Sequence, residues 1–243
     1  MAVNKLRPTK VADNTSGILP TRTSVYNEAT VLPYGVGRTN MADEGSYFVA
    51  QNATPGTALT GHVAPAFADA GIGTKSIIHF YNGGTLDVYL DYIQLTCPVA
   101  NASATAVYFM AWTDIKGSTC LTSGGTAITS IYPTRSNSSN TTGITLTAGA
   151  CVTAPQASGL HRVLQKNVKP YIGVALDSYS FVFGNGIPGI VTGFALTTAV
   201  THTLTACAPV VVAPGSNFLF AQVGPSGAST AMTFEFEMGY WER

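Results

Sequence analysis

Two aspartates four positions apart, Asp87 and Asp91 in the stretch TLDVYLDYIQL, are the first residues whose type and spacing invite a chemical reading. Paired carboxylates work on glycosidic bonds when they stand about 5 to 9.5 Å apart. Their neighbours set the spacing here. Leu86, Val88, Leu90 and Tyr92 alternate with Asp87, Tyr89, Asp91 and Ile93, which is the period-2 pattern of a half-buried β-strand. Four positions along a strand amount to about 13 Å, too far to flank one bond. One shared metal is excluded too, because ligands stand within about 2 to 2.6 Å of the ion. Both acids are expected on the solvent side of one strand, where either could act only with a partner from elsewhere.

The histidines supply no such partner by spacing. His62, His79, His161 and His202 form no H-x-H or H-E-x-x-H pattern, so no zinc signature is present. In KSIIHFYN, His79 shares a parity with Ile77 and Tyr81 and reads as a hydrogen-bonded strand histidine. His161 stands with Arg162, Lys166 and Lys169 in the one basic cluster outside the N-terminal region, suited to an anion contact, a wet edge or an inter-subunit salt bridge. A G-x-S-x-G elbow is absent. GIGTK, ending at Lys75, falls short of the phosphate-cradling G-x-x-x-x-G-K-[ST] spacing. Cys97, Cys120, Cys151 and Cys207 lie 23 or more positions apart with no C-x-x-C pair, and are expected as buried thiols. No catalytic residue, cofactor site or metal ligand is nominated, and no enzymatic activity or cofactor is expected. Tyr89, Trp112, Tyr179 and Trp241 could stack sugars, but aromatic residues on strands are expected first in cores and subunit interfaces.

The elements that would carry these residues are short β runs. KSIIHFYN and TLDVYLDYIQLTC flank Asn82-Gly83-Gly84, whose glycines favour the positive φ of a tight hairpin. TAVYFMAW, YIGVAL, YSFVF, HTLTACAPVVV, NFLFAQV and AMTFEFEMGYW continue the series, and Pro214-Gly215-Ser216 reads as a turn between two of them. In the last run Phe234, Phe236, Met238 and Tyr240 alternate with Glu235, Glu237, Gly239 and Trp241, so one face must be covered. Only GLHRVLQKNVKP invites a helical reading, ended by Pro170. About ten short strands, with turn signals every 8 to 14 residues or so and no fixed repeat, predict an all-β fold, a jelly-roll-like β-sandwich over residues 46–243.

Residues 1–45 differ. They are polar, basic at the front and punctuated by Pro8, Pro20 and Pro33, which predicts an extended N-terminal arm. Lys5, Arg7 and Lys10 could touch a neighbouring subunit or nucleic acid, or remain solvated. The opening carries no apolar run of the secretory kind, and no 18-residue apolar stretch predicts a membrane span. Across all 243 residues, 12 basic and 12 acidic side chains cancel, so nothing favours non-specific nucleic-acid binding. From Ser178 to Phe234 there is no Asp, Glu, Lys or Arg at all. Such a run suits a core or a contact with another chain, where interface centres are depleted of charge, and a neutral Thr-rich surface is the plainer alternative.

A neutral chain with a proline-punctuated front (MAVNKLRPTK, TVLPYGVGRTN), a body rich in Gly, Thr, Ala and Ser, and the ending VVVAPGSNFLFAQVGPSGASTAMTFEFEMGYWER resembles virion structural proteins of tailed bacteriophages. The likeness covers most of the chain in style and rests on no single motif. It implies a decoration or cement protein at the capsid surface, made in the host cytoplasm, with the major capsid protein or other virion proteins as partners. It also implies a homo-oligomer, with a trimer as the expected state, and neither a specific nucleic acid nor a membrane as partner. No long helix of the major-capsid type is evident, which points to an accessory shell protein. The resemblance supplies no functional residues; the expected capsid-contact arm is read from its charge, at Lys5, Arg7, Lys10 and Arg22. The alternative expectation is a tail or fibre component, or a carbohydrate-binding β-sandwich used in host attachment.

Overall fold

The structure is a computed structural model that describes residues 10–12, 18–20, 38–52, 54–62, 74–98, 107–156, 158–169, 175, 177–184, 190–192, 202–223 and 231–243. The chain divides into two compact units, Met1–Asn40 and Met41–Arg243. In the first, β1 (Lys10–Ala12) pairs antiparallel with β2 (Ile18–Pro20). Lys5, Arg7 and Arg22 of the expected contact arm lie outside the described residues, as does the side chain of Lys10. The helix α1 (Arg38–Glu44) falls within the stretch read as arm, and ends as Gly45 N–H bonds Ala42 C=O and Ser46 N–H bonds Met41 C=O. That double closure turns the chain directly into the next strand.

The second unit is all-β, with two packed sheets. Its strands are β3 (Tyr47–Gln51), β4 (Leu59–Thr60), β5 (Lys75–Asn82), β6 (Val88–Thr96), β7 (Val107–Asp114), β8 (Leu121–Ile128), β9 (Ile131–Pro133) and β10 (Ile144–Thr153). There follow β11 (Leu160–Lys169), β12 (Ser178–Phe183), β13 (Ile190–Thr192), β14 (His202–Cys207), β15 (Val211–Val212), β16 (Asn217–Val223) and β17 (Thr233–Glu242). One sheet has the order β11-β7-β16-β5-β10-β8; the other runs β13-β14-β12-β6-β17-β3-β9, with β15 added on β6 and β4 on β17. Neighbours are antiparallel except β12 and β14, which run parallel.

Side chains of alternate parity from the two sheets meet between them. Phe80 meets Tyr240 edge-on at 5.5 Å, Phe109 meets Phe181 at 5.1 Å, and Phe181 meets Phe220 at 5.0 Å. Each such ring is fully buried, and burying a side chain of this size contributes about 1.5–3 kcal/mol. A smaller cluster, Met110, Trp112, Leu219, Ala221 and Val223, is buried on the opposite side of β7 and β16. The uncharged span from Ser178 to Phe234 is therefore core in good part: Tyr179, Phe181, Phe183, Cys207, Phe218, Phe220 and Phe234 all lie inside.

Two local expectations are corrected. The segment GLHRVLQKNVKP is no helix; its residues 160–169 form strand β11, paired along its length with β7. Tertiary pairing overrides the weak helical preference there. The Asn82-Gly83-Gly84 stretch is no hairpin either, because β5 pairs β10 and β16 while β6 pairs β17, β12 and β15 in the other sheet. The Asn82 side chain makes the crossing. Its Oδ1 accepts from Gly84 N–H at 3.0 Å, and its Nδ2 donates to the carbonyls of Leu86 and Val212, both at 2.8 Å. The glycines serve close approach: a Cβ on Gly143 would stand 2.5 Å from the Gly84 Cα. By contrast the Ala213–Ser216 turn is present, with Ser216 N–H bonding Ala213 C=O at 3.0 Å and Gly215 at φ 76°, as a type II turn with Pro then Gly requires. Among the described residues no helix is long and apolar enough to cross a membrane.

Candidate functional site

The expected pair of solvent-side acids does not exist as such. Gly239 of β17 faces Tyr92 of β6, but the next residue, Tyr240, faces Leu90, so the register of β17 skips Asp91, an extra residue in β6. This is a β-bulge, which reverses the inside–outside parity of its strand. Val88 and Leu90 point into the core before it, Ile93 and Leu95 after it. Asp91 is 1% exposed, and its Oδ2 accepts a hydrogen bond from the Tyr47 hydroxyl at 2.6 Å. Asp87 lies ahead of β6, half-buried, with its backbone paired to Arg243.

On the outer face of the nine-stranded sheet the register builds successive rows across β3, β17 and β6. Tyr47, Trp241 and Tyr89 form one row. Their rings stack, Tyr89 on Trp241 at 5.6 Å and 2° and Tyr47 on Trp241 at 6.3 Å and 20°. Val49, Gly239 and Tyr92 form the next row. The Tyr92 ring lies over Gly239, where any Cβ would collide with it, and its hydroxyl donates to Glu237 Oε1. Gln51, Glu237 and Gln94 follow, then Glu235 opposite Thr96. These last two rows, with Asn52, line an open groove of about 280 Å³. Asn52 is fixed in it, its Oδ1 accepting from Phe236 N–H at 2.9 Å and its Nδ2 donating to Thr57 C=O at 3.2 Å.

Of the four aromatic residues singled out from the sequence, Trp112 and Tyr179 are buried, whereas Tyr89 and Trp241 stand half-buried on this outer face. Tyr47, Tyr92, Gln94 and Glu237 were not foreseen as site residues. The alternation of β17 already put Glu235, Glu237 and Trp241 on one face, but which residues of β6 join them depends on the bulge.

The histidines separate by role. His79 is buried on β5 and bonds Asn217 Oδ1 at 3.1 Å through Nε2. Because Oδ1 also accepts from Cys120 N–H at 3.0 Å while Asn217 Nδ2 donates to Ser118 C=O, Nε2 is the donor to Asn217 and carries a proton. Burial lowers the His79 pKa, opposed only by that hydrogen bond. His62 bonds the Cys151 carbonyl at 2.7 Å. His161 and Arg162 are exposed on β11, while the side chains of Lys166, Lys169 and His202 lie outside the described set.

A larger, mostly apolar hollow of about 650 Å³ runs beneath the β8 and β9 edge, with His79 and Thr147 on its wall and, among the described residues, no carboxylate or cysteine lining it. All four cysteines are free and buried. Burial pushes the thiols of Cys120 and Cys151 up to about 12, the former also through the Asp114 charge. No three His, Cys, Asp or Glu among the described residues converge as a metal site. No family model, no curated protein and no solved structure matches this chain.

Proposed function

We propose that the protein is an accessory structural protein of a tailed-bacteriophage virion, a decoration or cement protein with a jelly-roll-like body. The observation that carries this reading is the division of the chain at Asn40 into a small front unit and a large sandwich. Five basic and two acidic residues lie in Met1–Asn40, against seven basic and ten acidic in the remainder. A basic leading unit attached to a mildly acidic body suits a protein that lays an arm over neighbouring subunits while the body occupies a symmetry position. The jelly-roll-like reading is supported by the way successive long strands change sheets, as β5, β6 and β7 do and again β16 and β17. The parallel β12–β14 pair is a departure from that pattern.

Binding of this kind stabilises the particle by mass action, since a ligand of the assembled shell raises the free energy of separating its subunits. Partners are the major capsid protein or other virion proteins, with a trimer as the working assembly. Deletion of residues 1–40 tests the arm: the body should fold and bind particles weakly, and unchanged occupancy on particles would contradict the reading. A second reading, host attachment through a carbohydrate-binding face, is favoured by the stacked Tyr89–Trp241 row and the Glu235–Glu237 groove on the same outer sheet face, with the Tyr92 row between them.

A further inference from the structure

We infer that the groove on the outer face of the nine-stranded sheet is a saccharide-binding site whose ligand is neutral or carries an amino group. This extends the second reading above to a ligand class and rests on the groove itself, independently of any particle.

The groove lies on β3, β17 and β6, strands in the interior of their sheet, so its walls are held by hydrogen bonds on both sides. At about 280 Å³ it is just smaller than ordinary ligand pockets, which span roughly 300–1,000 Å³. One or two sugar rings match that size. The side chains of Gln94, Thr96 and Glu235 are half-buried, yet none hydrogen-bonds another group among the described residues. Asn52, by contrast, bonds the backbone through both its oxygen and its nitrogen and fixes the groove's end. The unengaged set offers an amide that both donates and accepts, a hydroxyl that does the same, and a carboxylate that accepts from two neighbouring hydroxyls. Such a set matches the vicinal hydroxyls of a pyranose.

Apolar surface stands beside it. The Tyr92 ring adjoins the groove through its bond to Glu237, and the Tyr89–Trp241 stack lies beyond it, four residues from Glu237 along β17, about 13 Å along the strand. Aromatic faces of this kind cover the C–H side of a sugar while their polar tips remain wet. Charge then selects the class. Glu235 and Glu237 line the groove and, among the described residues, no Lys, Arg or His does, so sialylated, uronic, sulfated or phosphorylated glycans are repelled while neutral and amino sugars are admitted.

The test uses the full chain on a glycan array carrying neutral, amino-bearing and acidic oligosaccharides, followed by saturation-transfer NMR with maltotriose, chitobiose and sialyllactose. Gln94→Ala and Glu235→Gln alter the groove; Leu204→Ala, on the exposed part of β14 in the same sheet, is the control. Near-UV circular dichroism verifies that each variant is folded. Retention of a neutral or amino-bearing glycan, weakened about tenfold by both groove substitutions and unchanged by the control, supports the site. The inference is overturned if no neutral or amino-bearing glycan is retained, if acidic glycans bind best, or if binding is indifferent to both groove substitutions.

Discussion

The hydroxyl of Tyr47 on β3 donates a 2.6 Å hydrogen bond to Oδ2 of Asp91, the residue that bulges out of β6 two strands away. The bond spans β17 and anchors the bulge that sets which residues of β6 face outward. Tyr47→Phe keeps the ring on Trp241 and removes the donor. Hydrogen bonds to carboxyl groups in buried settings contribute about 1–3 kcal/mol, and a loss of that size is expected in urea unfolding. A change in the urea midpoint with an unaltered slope would confirm that the fold itself is kept.

Gly239 sits beneath the same aromatic group. A Cβ there collides with both the Tyr92 ring and the Tyr47 hydroxyl, so Gly239→Ala should destabilise by about 1–3 kcal/mol through overpacking. Removing the Tyr92 ring relieves one of the two collisions and leaves that with the Tyr47 hydroxyl. In a double-mutant cycle, Gly239→Ala combined with Tyr92→Ala should cost less than the two changes added, by more than the ~0.5 kcal/mol scatter of independent sites. Strict additivity would mean that the ring does not rest on Gly239.

A pH signature belongs to His79. Its folded pKa lies below the ordinary value because burial disfavours the charged ring. The unfolded chain therefore binds the proton first, and the stabilisation from neutral His79 is complete above about pH 6.5 and declines as pH falls below it. His79→Gln keeps a donor towards Asn217 and removes the titration. The stability advantage of the native chain over this variant should shrink between about pH 7 and pH 5, measured by chemical unfolding at each pH. A constant difference would contradict the buried neutral ring.

Cysteine chemistry should be silent. With thiols of Cys120 and Cys151 pushed up to about 12 and all four side chains buried, the reactive thiolate is nearly absent at neutral pH. Ellman's reagent at pH 8 should find no fast thiol in the folded protein and four after denaturation. A rapidly reacting cysteine in the native state would show that a buried strand opens.

The two-sheet body was legible because its last strand states its own faces. Phe234, Phe236, Met238 and Tyr240 went inward as their alternation required, and the Pro214-Gly215 turn followed from backbone preferences that are strictly local. The acids of TLDVYLDYIQL misled because a bulge changes parity without changing composition. Nothing within the strand reports that β17 skips Asp91. The Asn82-Gly83-Gly84 crossing looked like a hairpin for a related reason. Its geometry is dictated by the Asn82 side chain reaching Val212, 130 residues away, and that partner is invisible in a local window. The groove itself joins Gln51, Gln94 and Glu237 from three strands, so its residues gain a common meaning only through register.

The proposed function is occupancy of an assembled shell. Its most direct test is light scattering on the purified full chain, followed in the same preparation by titration onto capsid shells that lack it. A stable trimer that saturates the shells and raises their disruption temperature is the predicted result. A monomer that leaves the shells unoccupied and their disruption temperature unchanged would contradict it.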